Sequence, residues 1–380
     1  MPNRQYTVGI VGLGYGRAHV AGFQAAGCKV VALCQRDTAA AAELAARYGI
    51  LQVYSDWRAM LVTERPDIVV IATPPALHFP IMTEAFAAGS HVVCEKPLAL
   101  TVDEAHWMIA AAQAAKRAAI VGFNWRFPPA MQRMKAMVHA GFLGRVFHVN
   151  CRWFNAAWVE RGAEPSWRMD RAVAGYGALG DLGVHLIDLV RWLFGDIVRV
   201  LASSGVGHPS RTIPGGARTA DAEDFSHVVA ELRCGATMAL TVSRVARGLN
   251  EHSIEVFGES GALSMRQSRT GAGWQTGELR MAAGADLLSP VDLPASIGDA
   301  GESGDRLDIT GRATIAPMVR AFLAAIESPG GVPAPSLHDG LQAQAVLEAI
   351  AASVAKRSWI DIAPISVLPA TPDPQGAFSV

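Results

Sequence analysis

The chain has 380 residues, more than one hydrophobic core usually serves, so two domains are expected. Half of it is hydrophobic (51%) and 18% is charged, which suits a packed globular protein and excludes a disordered one. A formal charge of −1, with no long Lys/Arg block, argues against nucleic acid or an anionic membrane as partner.

The five cysteines, Cys28, Cys34, Cys94, Cys151 and Cys234, are scattered and form no CxxC pair. They signal neither a disulfide framework nor a metal site, and a reducing cytoplasm is the expected compartment. The N-terminus, "MPNRQYTVGIVGLG", runs almost directly into a strand, so no signal peptide is expected. The Ala-rich stretch from Ala105 to Val121 is interrupted by His106, Gln113, Lys116 and Arg117, which argues against a spanning helix.

In chain order, short apolar strands are predicted at Tyr6–Val11, Lys29–Cys34, Ile68–Ala72, His91–Cys94 and Ala119–Gly122. Segments such as "DTAAAAELAARYG" lie between them and end in Gly, as helices often do. This alternation predicts an α/β fold whose parallel sheet is covered by helices on both faces, a doubly wound Rossmann sheet over residues 1–123. After about Arg126 the pattern changes. A helix near Pro128–His139 leads into "GRVFHVNCRWF", a loop, and the helical "GDLGVHLIDLVRWLFG". The runs "DFSHVVAELRC", "ATMALTVSRV" and "HSIEVFGES" follow without intervening helices and are expected to pair antiparallel. Residues Ser296–Gly311 read as loop, with helices near Ile315–Glu327 and Asp339–Lys356 after it. Residues 124–362 are thus expected to form an α+β domain with a large open, mainly antiparallel sheet, and 363–380 a tail. A sheet with one face open suggests a homo-oligomer, a dimer or tetramer.

Three features carry chemistry. In "VGIVGLGYGRAHV", Gly12, Gly14 and Gly16 stand between the first strand and the first helix, where backbone amides can hold a pyrophosphate. The third small residue of the usual fingerprint would fall at 17, and here it is Arg17. At the end of the second strand, Gln35 takes the place of the acid that would bind a ribose 2′-hydroxyl, and Arg36 follows. This leans toward NADP over NAD; alternatively Arg36 is a solvated charge and Asp37 caps the next helix.

In "HVVCEKPLAL", an apolar strand ends at Glu95-Lys96-Pro97, with Pro97 restricting the backbone of Lys96. That strand end shares its sheet edge with the glycine turn. Lys96 is therefore either a site lysine, with a lowered pKa or serving as a fixed charge, or a solvated lysine paired with Glu95. Asp181, His185 and Asp188 fall at i, i+4 and i+7 on one helical face, which suits a proton-exchanging His with a carboxylate one turn away. The other assignment makes Asp181 a helix cap and His185 a core residue. Arg126 and Arg168 are candidates for polar substrate groups, or surface ion pairs.

The motifs "GLGYGRAH", "VIATPPALH", "CEKPLAL", "GFNWRF", "GDLGVHLIDL", "VFGESGAL" and "SLHDGLQAQAVLEAI" together resemble the Gfo/Idh/MocA oxidoreductase family over nearly the whole chain. The resemblance implies that Lys96 is the catalytic lysine between nicotinamide and substrate, often next to a cis peptide bond. It also implies that Asp181 and His185 bind substrate and exchange the proton. Thr73, Pro74 and His78 would line the cofactor, with Tyr15 and Glu95 beside them. Trp167 and Arg168 would match a Trp-Arg pair near the nicotinamide. The expected reaction is hydride transfer on a sugar, cyclitol or similar polyol, with His185 as base and Lys96 stabilising charge on the reacting oxygen. Transient redox without net oxidation and a non-catalytic cofactor sensor remain as alternatives.

Overall fold

The structure is a computed structural model that describes residues 4–163, 166–213, 216–270, 274–294 and 305–365. Its first layer is a parallel sheet built from β1 (Thr7–Val11), β2 (Lys29–Cys34), β3 (Gln52–Tyr54), β4 (Ile68–Ile71), β5 (His91–Cys94) and β6 (Ala119–Val121). The order is β3-β2-β1-β4-β5-β6, the doubly wound arrangement expected. Strand β3 was not anticipated. It is three residues long, lies at the sheet edge and is not fully buried, so it lacks the apolar run that reveals its neighbours.

Helices α1 (Gly16–Ala25), α2 (Thr38–Tyr48), α3 (Trp57–Glu64), α4 (His78–Ala87) and α5 (Val102–Ala115) make the crossovers. Asp37 caps α2 by accepting from the Ala40 amide, and Gly49 ends it in the left-handed region. By contrast, α1 has no side-chain cap. Its first amides are therefore left for another acceptor.

The second layer follows α6 (Pro129–His139). Strand β7 (Val146–Phe154) leads through α7 (Arg171–Ala174) and α8 (Val184–Phe194) to β8 (Ile197–Gly205). A small hairpin, β9 (Ser210–Ile213) with β10 (Gly216–Thr219), stands apart. The sheet continues with β11 (Phe225–Leu232), β12 (Thr237–Ser243), β13 (Glu251–Gly258), β14 (Gly261–Ser268), β15 (Glu278–Ala283) and β16 (Ser289–Pro290). Its last member, β17 (Ile360–Asp361), gives nine strands in the order β16-β15-β14-β13-β7-β12-β11-β8-β17.

The sheet is mainly antiparallel, as expected, with one correction. Strands β12 and β13 are not neighbours: β7 lies between them, parallel to β12 and antiparallel to β13. Sequence adjacency suggested a simple meander. The central place goes instead to β7, whose Val149, Cys151 and Trp153 bury one full face.

The C-terminal helices correct a second expectation. Asp305 caps α9 (Arg306–Thr310), so the end of the segment read as loop is helical, while 296–304 lie outside the described residues. A π turn, Gly311–Ile315, joins α9 to α10 (Ala316–Glu327). Ile315, Met318, Val319 and Phe322 pack with Val8, Ile10 and Phe23 of the first layer rather than with the second sheet. The approach is close enough that a Cβ on Gly311 would stand 2.1 Å from the Ala18 carbonyl oxygen. Helix α11 (Leu337–Lys356), started by a capping box of Ser336 and Asp339, spans both layers. Two stretches, Arg171–Phe194 and Arg306–Glu327, match a membrane span by length and composition only, and the first is mostly buried here. Most of the expected tail, 366–380, also lies outside the described residues.

Candidate active site

The C-terminal ends of β1, β4 and β5 meet the second sheet across a cavity of about 580 Å³. The wall on the first side is Tyr15, Ala72, Thr73, Pro75, Glu95, Lys96 and Pro97. The opposite wall follows from strand direction. Because β7 and β12 are parallel, Asn155 and Arg244, which follow them, emerge at one edge. Glu251 of β13 pairs with both Phe154 and Ser268, so Asn250 and Arg269 reach that same edge. Asp181 and His185 enter from the start of α8.

The glycine turn is built for close approach. Gly12 has φ +88°, and a Cβ there would lie 2.6 Å from the Ala72 carbonyl group. Nothing lies within 4 Å of the Cβ position at Gly14. With the uncapped start of α1 beside it, this turn fits a dinucleotide pyrophosphate. Arg17, in the place of the third small residue, turns away to pair with Asp305.

Behind the turn, the buried Glu95 bonds His19 Nε2 of α1 at 2.7 Å. Burial by itself would raise the Glu95 pKa; the hydrogen bond and charge of His19, with Lys96, hold it below the usual value. The carboxylate is thereby turned inward. The Lys96–Pro97 bond is cis, as the resemblance implied.

Lys96 is not a solvated lysine paired with Glu95. Its Nζ donates to Asp181 O at 2.9 Å and to Asp181 Oδ1 at 3.0 Å. Burial pushes its pKa down to about 7, against the upward pull of Glu95 and with the help of Arg168, Arg244 and Arg269. Asp181 also faces Arg168 Nε at 3.4 Å and the Arg244 guanidinium.

His185 is 4% exposed and its Nδ1 has no hydrogen-bond partner. Its ring lies 5.5 Å from that of Trp153 and 6.1 Å, edge to face, from that of Phe123. Burial, then Lys96, His252 and Arg269, hold its pKa well below the ordinary value, so the imidazole is neutral at pH 7.

Asp181 is not an α-helix cap. It sits in a π turn, Leu179–Gly183, ahead of α8. Asp181 and His185 both line the cavity, while Asp188, within α8, faces Arg126 instead. Asp188 is buried and takes Arg126 Nε at 2.8 Å and Nη2 at 2.5 Å, while Asp339 faces the same guanidinium at 3.2 Å. Arg126, expected to meet substrate, is thereby corrected to a buried strut between the end of the first layer, α8 and α11.

Of the expected cofactor residues, Gly12, Gly14, Gly16, Gln35, Arg36, Pro74 and His78 do not line this cavity. His78 is fully buried and its nitrogens approach Leu98 O at 3.1 Å and Thr73 O at 3.0 Å, so it braces the loop carrying Thr73. Pro74 lies in that loop, and its neighbour Pro75 is the one that lines the wall. Trp167 and Arg168 do line it, with the guanidinium over the indole at 4.3 Å. Gln35 and Arg36 follow β2, whose last residue Cys34 accepts from the Gly12 amide; Arg36 is exposed and Asp37 serves as the cap of α2.

Arg244, Arg269 and Tyr176 also line the site and were not anticipated. The two arginines stand at strand ends, in "TVSRV" and "SMRQSR", with no local motif. Their convergence needs the strand order.

Comparison with known proteins bears on the family and the fold. Residues 6–123 match the profile of an oxidoreductase family with an NAD-binding Rossmann fold, and 131–264 match the GFO/IDH/MocA C-terminal domain. A levoglucosan dehydrogenase of Pseudarthrobacter phenanthrenivorans is 30% identical over 94% of this chain and 98% of its own. An inositol 2-dehydrogenase of Saccharopolyspora erythraea is 32% identical over 56% of this chain and 60% of its own. A solved levoglucosan dehydrogenase in complex with NADH and L-sorbose superposes with a TM-score of 0.85 at 28% identity, covering 94% of this chain and 99% of that one.

Proposed function

Because this chain belongs to the Gfo/Idh/MocA family of NAD-binding oxidoreductases, we propose that it transfers a hydride between a nicotinamide dinucleotide and a secondary alcohol or ketone of a sugar, cyclitol or related polyol. The observation that carries this reading is the meeting of Lys96, Asp181 and His185 on one cavity at the dinucleotide edge of the sheet. Relatives named as levoglucosan and inositol dehydrogenases support the substrate class.

The residues that would hold the cofactor are Gly12, Gly14, Tyr15 and Gly16 at the pyrophosphate, and Thr73, Lys96, Trp167 and Arg168 toward the nicotinamide. When bound, the nicotinamide accepts or returns the hydride. The chain must handle the proton. Two of the three Nζ positions of Lys96 face Asp181, which leaves the third toward the cavity. With a pKa near 7, neutral Lys96 accepts the hydroxyl proton during oxidation, and the ammonium returns it during reduction. His185, too weak a base after burial, holds the hydroxyl as a neutral hydrogen-bond partner. This reading gives Lys96 the proton-carrying role that the sequence suggested for His185, on the ground that burial depresses both groups but starts Lys from a higher value.

Arg36 is exposed just after β2, which supports acceptance of NADP along with NAD. The outer face of the second sheet carries the half-exposed Val229 and a stacked His148–Phe257 pair, which supports association of copies into a homo-oligomer. All five cysteines are free thiols, consistent with a reducing cytoplasm. A spectrophotometric screen of polyols against NAD and NADP tests the activity. Tight cofactor binding without reduction by any polyol or oxidation by any keto-sugar would defeat it.

A further inference from the structure

The charges around the cavity do not balance. Five cationic side chains line it, Lys96, Arg168, Arg244, Arg269 and Arg306, against two carboxylates. Glu95 is engaged by His19. Asp181 is shared by Lys96, Arg168 and Arg244. Arg269 has no carboxylate partner among the described residues, and its guanidinium lies over Trp125 at 4.8 Å. Arg244 is similarly laid over Trp158 at 4.6 Å. Each guanidinium thus lies over an indole ring; Arg244 also meets Asp181, while the Arg269 fork meets no carboxylate among the described residues and is the one open to an anionic ligand.

Their proton affinities reflect this crowding. Burial, then Arg168 and Arg269, push Arg244 down to about 9. Burial, then Arg306, pushes Arg269 down to about 10. A site of this kind is costly to keep until an anion enters it, since desolvated cations without counter-ions raise the free energy of the empty protein.

The cofactor phosphates do not account for all of these cations. The pyrophosphate belongs at the glycine turn, toward Arg306, which opens α9 against α1 and also donates to the Arg269 main-chain oxygen. Arg168 adjoins Trp167 beside the nicotinamide position. Arg244 and Arg269 remain. Arg269 lies 5.9 Å from the centroid of Trp153, whose ring is 5.5 Å from that of His185, which sets it beside the reacting end of the cavity.

Resting on the dehydrogenase reading of this same cavity, we propose that the substrate is an anionic polyol: a sugar or cyclitol whose carboxylate or phosphate is gripped by Arg244 and Arg269 while a secondary hydroxyl faces Lys96 and His185. Planar forks of this kind match a carboxylate or phosphate through paired N–H donors. A neutral sugar offers them hydroxyl acceptors alone and leaves the excess charge uncompensated.

The test uses the full chain with its cofactor and matched ligands: D-glucose, D-gluconate, D-glucuronate and D-glucose 6-phosphate. One charged member is expected to exceed glucose in kcat/KM by about 100-fold, the worth of two charge-assisted contacts. The carboxylate and phosphate arms identify which anion is read. Arg269→Met is expected to shrink the charged-to-neutral ratio at least tenfold, and Arg269→Lys to restore part of it. Equal or better turnover of glucose, or a ratio unmoved by both Arg269→Met and Arg244→Met, would overturn the inference. If no ligand turns over, calorimetric titration of the cofactor complex separates the two claims. Tighter binding of the acids than of glucose sustains anion recognition while the redox reading falls, and equal binding overturns anion recognition as well.

Discussion

Lys96 Nζ sits 2.9 Å from the main-chain oxygen of Asp181 and 3.0 Å from its Oδ1, although 85 residues separate the two. This pair ties the strand end of the first layer to the π turn before α8. It also sets the direction in which the remaining Nζ position points.

Replacing that amine removes the proton carrier without disturbing the glycine turn. Lys96→Met is expected to lower kcat by roughly two to four decades. Cofactor affinity, followed by nicotinamide fluorescence, should stay within a few-fold of the parent. Near-normal turnover would remove Lys96 from the chemistry.

The lowered Lys96 pKa fixes the sign of the pH response. Oxidation needs the neutral amine, so its kcat/KM should rise with pH through about 7 and then level. Reduction needs the ammonium and should fall over the same range. Opposite slopes in the two directions, measured in constant-ionic-strength buffers, check the assignment.

His185→Asn is expected to cost about 100-fold in turnover while keeping the limb near pH 7, because the imidazole is already neutral there. Disappearance of that limb in the variant would make His185 the titrating base and return Lys96 to a purely electrostatic role.

The Arg126–Asp188 pair should act on stability. Arg126→Leu leaves a buried carboxylate with no guanidinium, a loss of about 3–5 kcal/mol. Denaturant unfolding reads this directly. A normal unfolding midpoint with a raised KM would instead place Arg126 in substrate binding.

Arg36→Glu puts a negative charge where a 2′-phosphate would approach. The ratio of NADP to NAD use should fall at least roughly tenfold, with NAD turnover nearly constant. An unchanged ratio would show that Arg36 does not meet the cofactor.

Local physics determines much of this protein from its sequence alone. Apolar runs four to six residues long marked β1, β2, β4 and β5, because a strand covered on both faces tolerates few polar residues. The glycines of the first turn were legible because a chain passing that close to Ala72 cannot carry a Cβ. Lys96 beside Pro97 and the Asp181/His185 spacing were legible as local patterns.

What the sequence left open depended on partners distant along the chain. Whether Lys96 met Glu95 or Asp181 was settled by His19, which holds the Glu95 carboxylate behind the strand. Asp188 lies off the cavity because it pairs with Arg126, which Asp339 of α11 also engages. Arg244 and Arg269 became site residues through the parallel pairing of β7 with β12 and the return of β13 and β14 to one edge. Strand order is a long-range packing outcome, with no period or composition that announces it. The charge of the cavity, and the sign of ligand it favours, was therefore decided by tertiary structure.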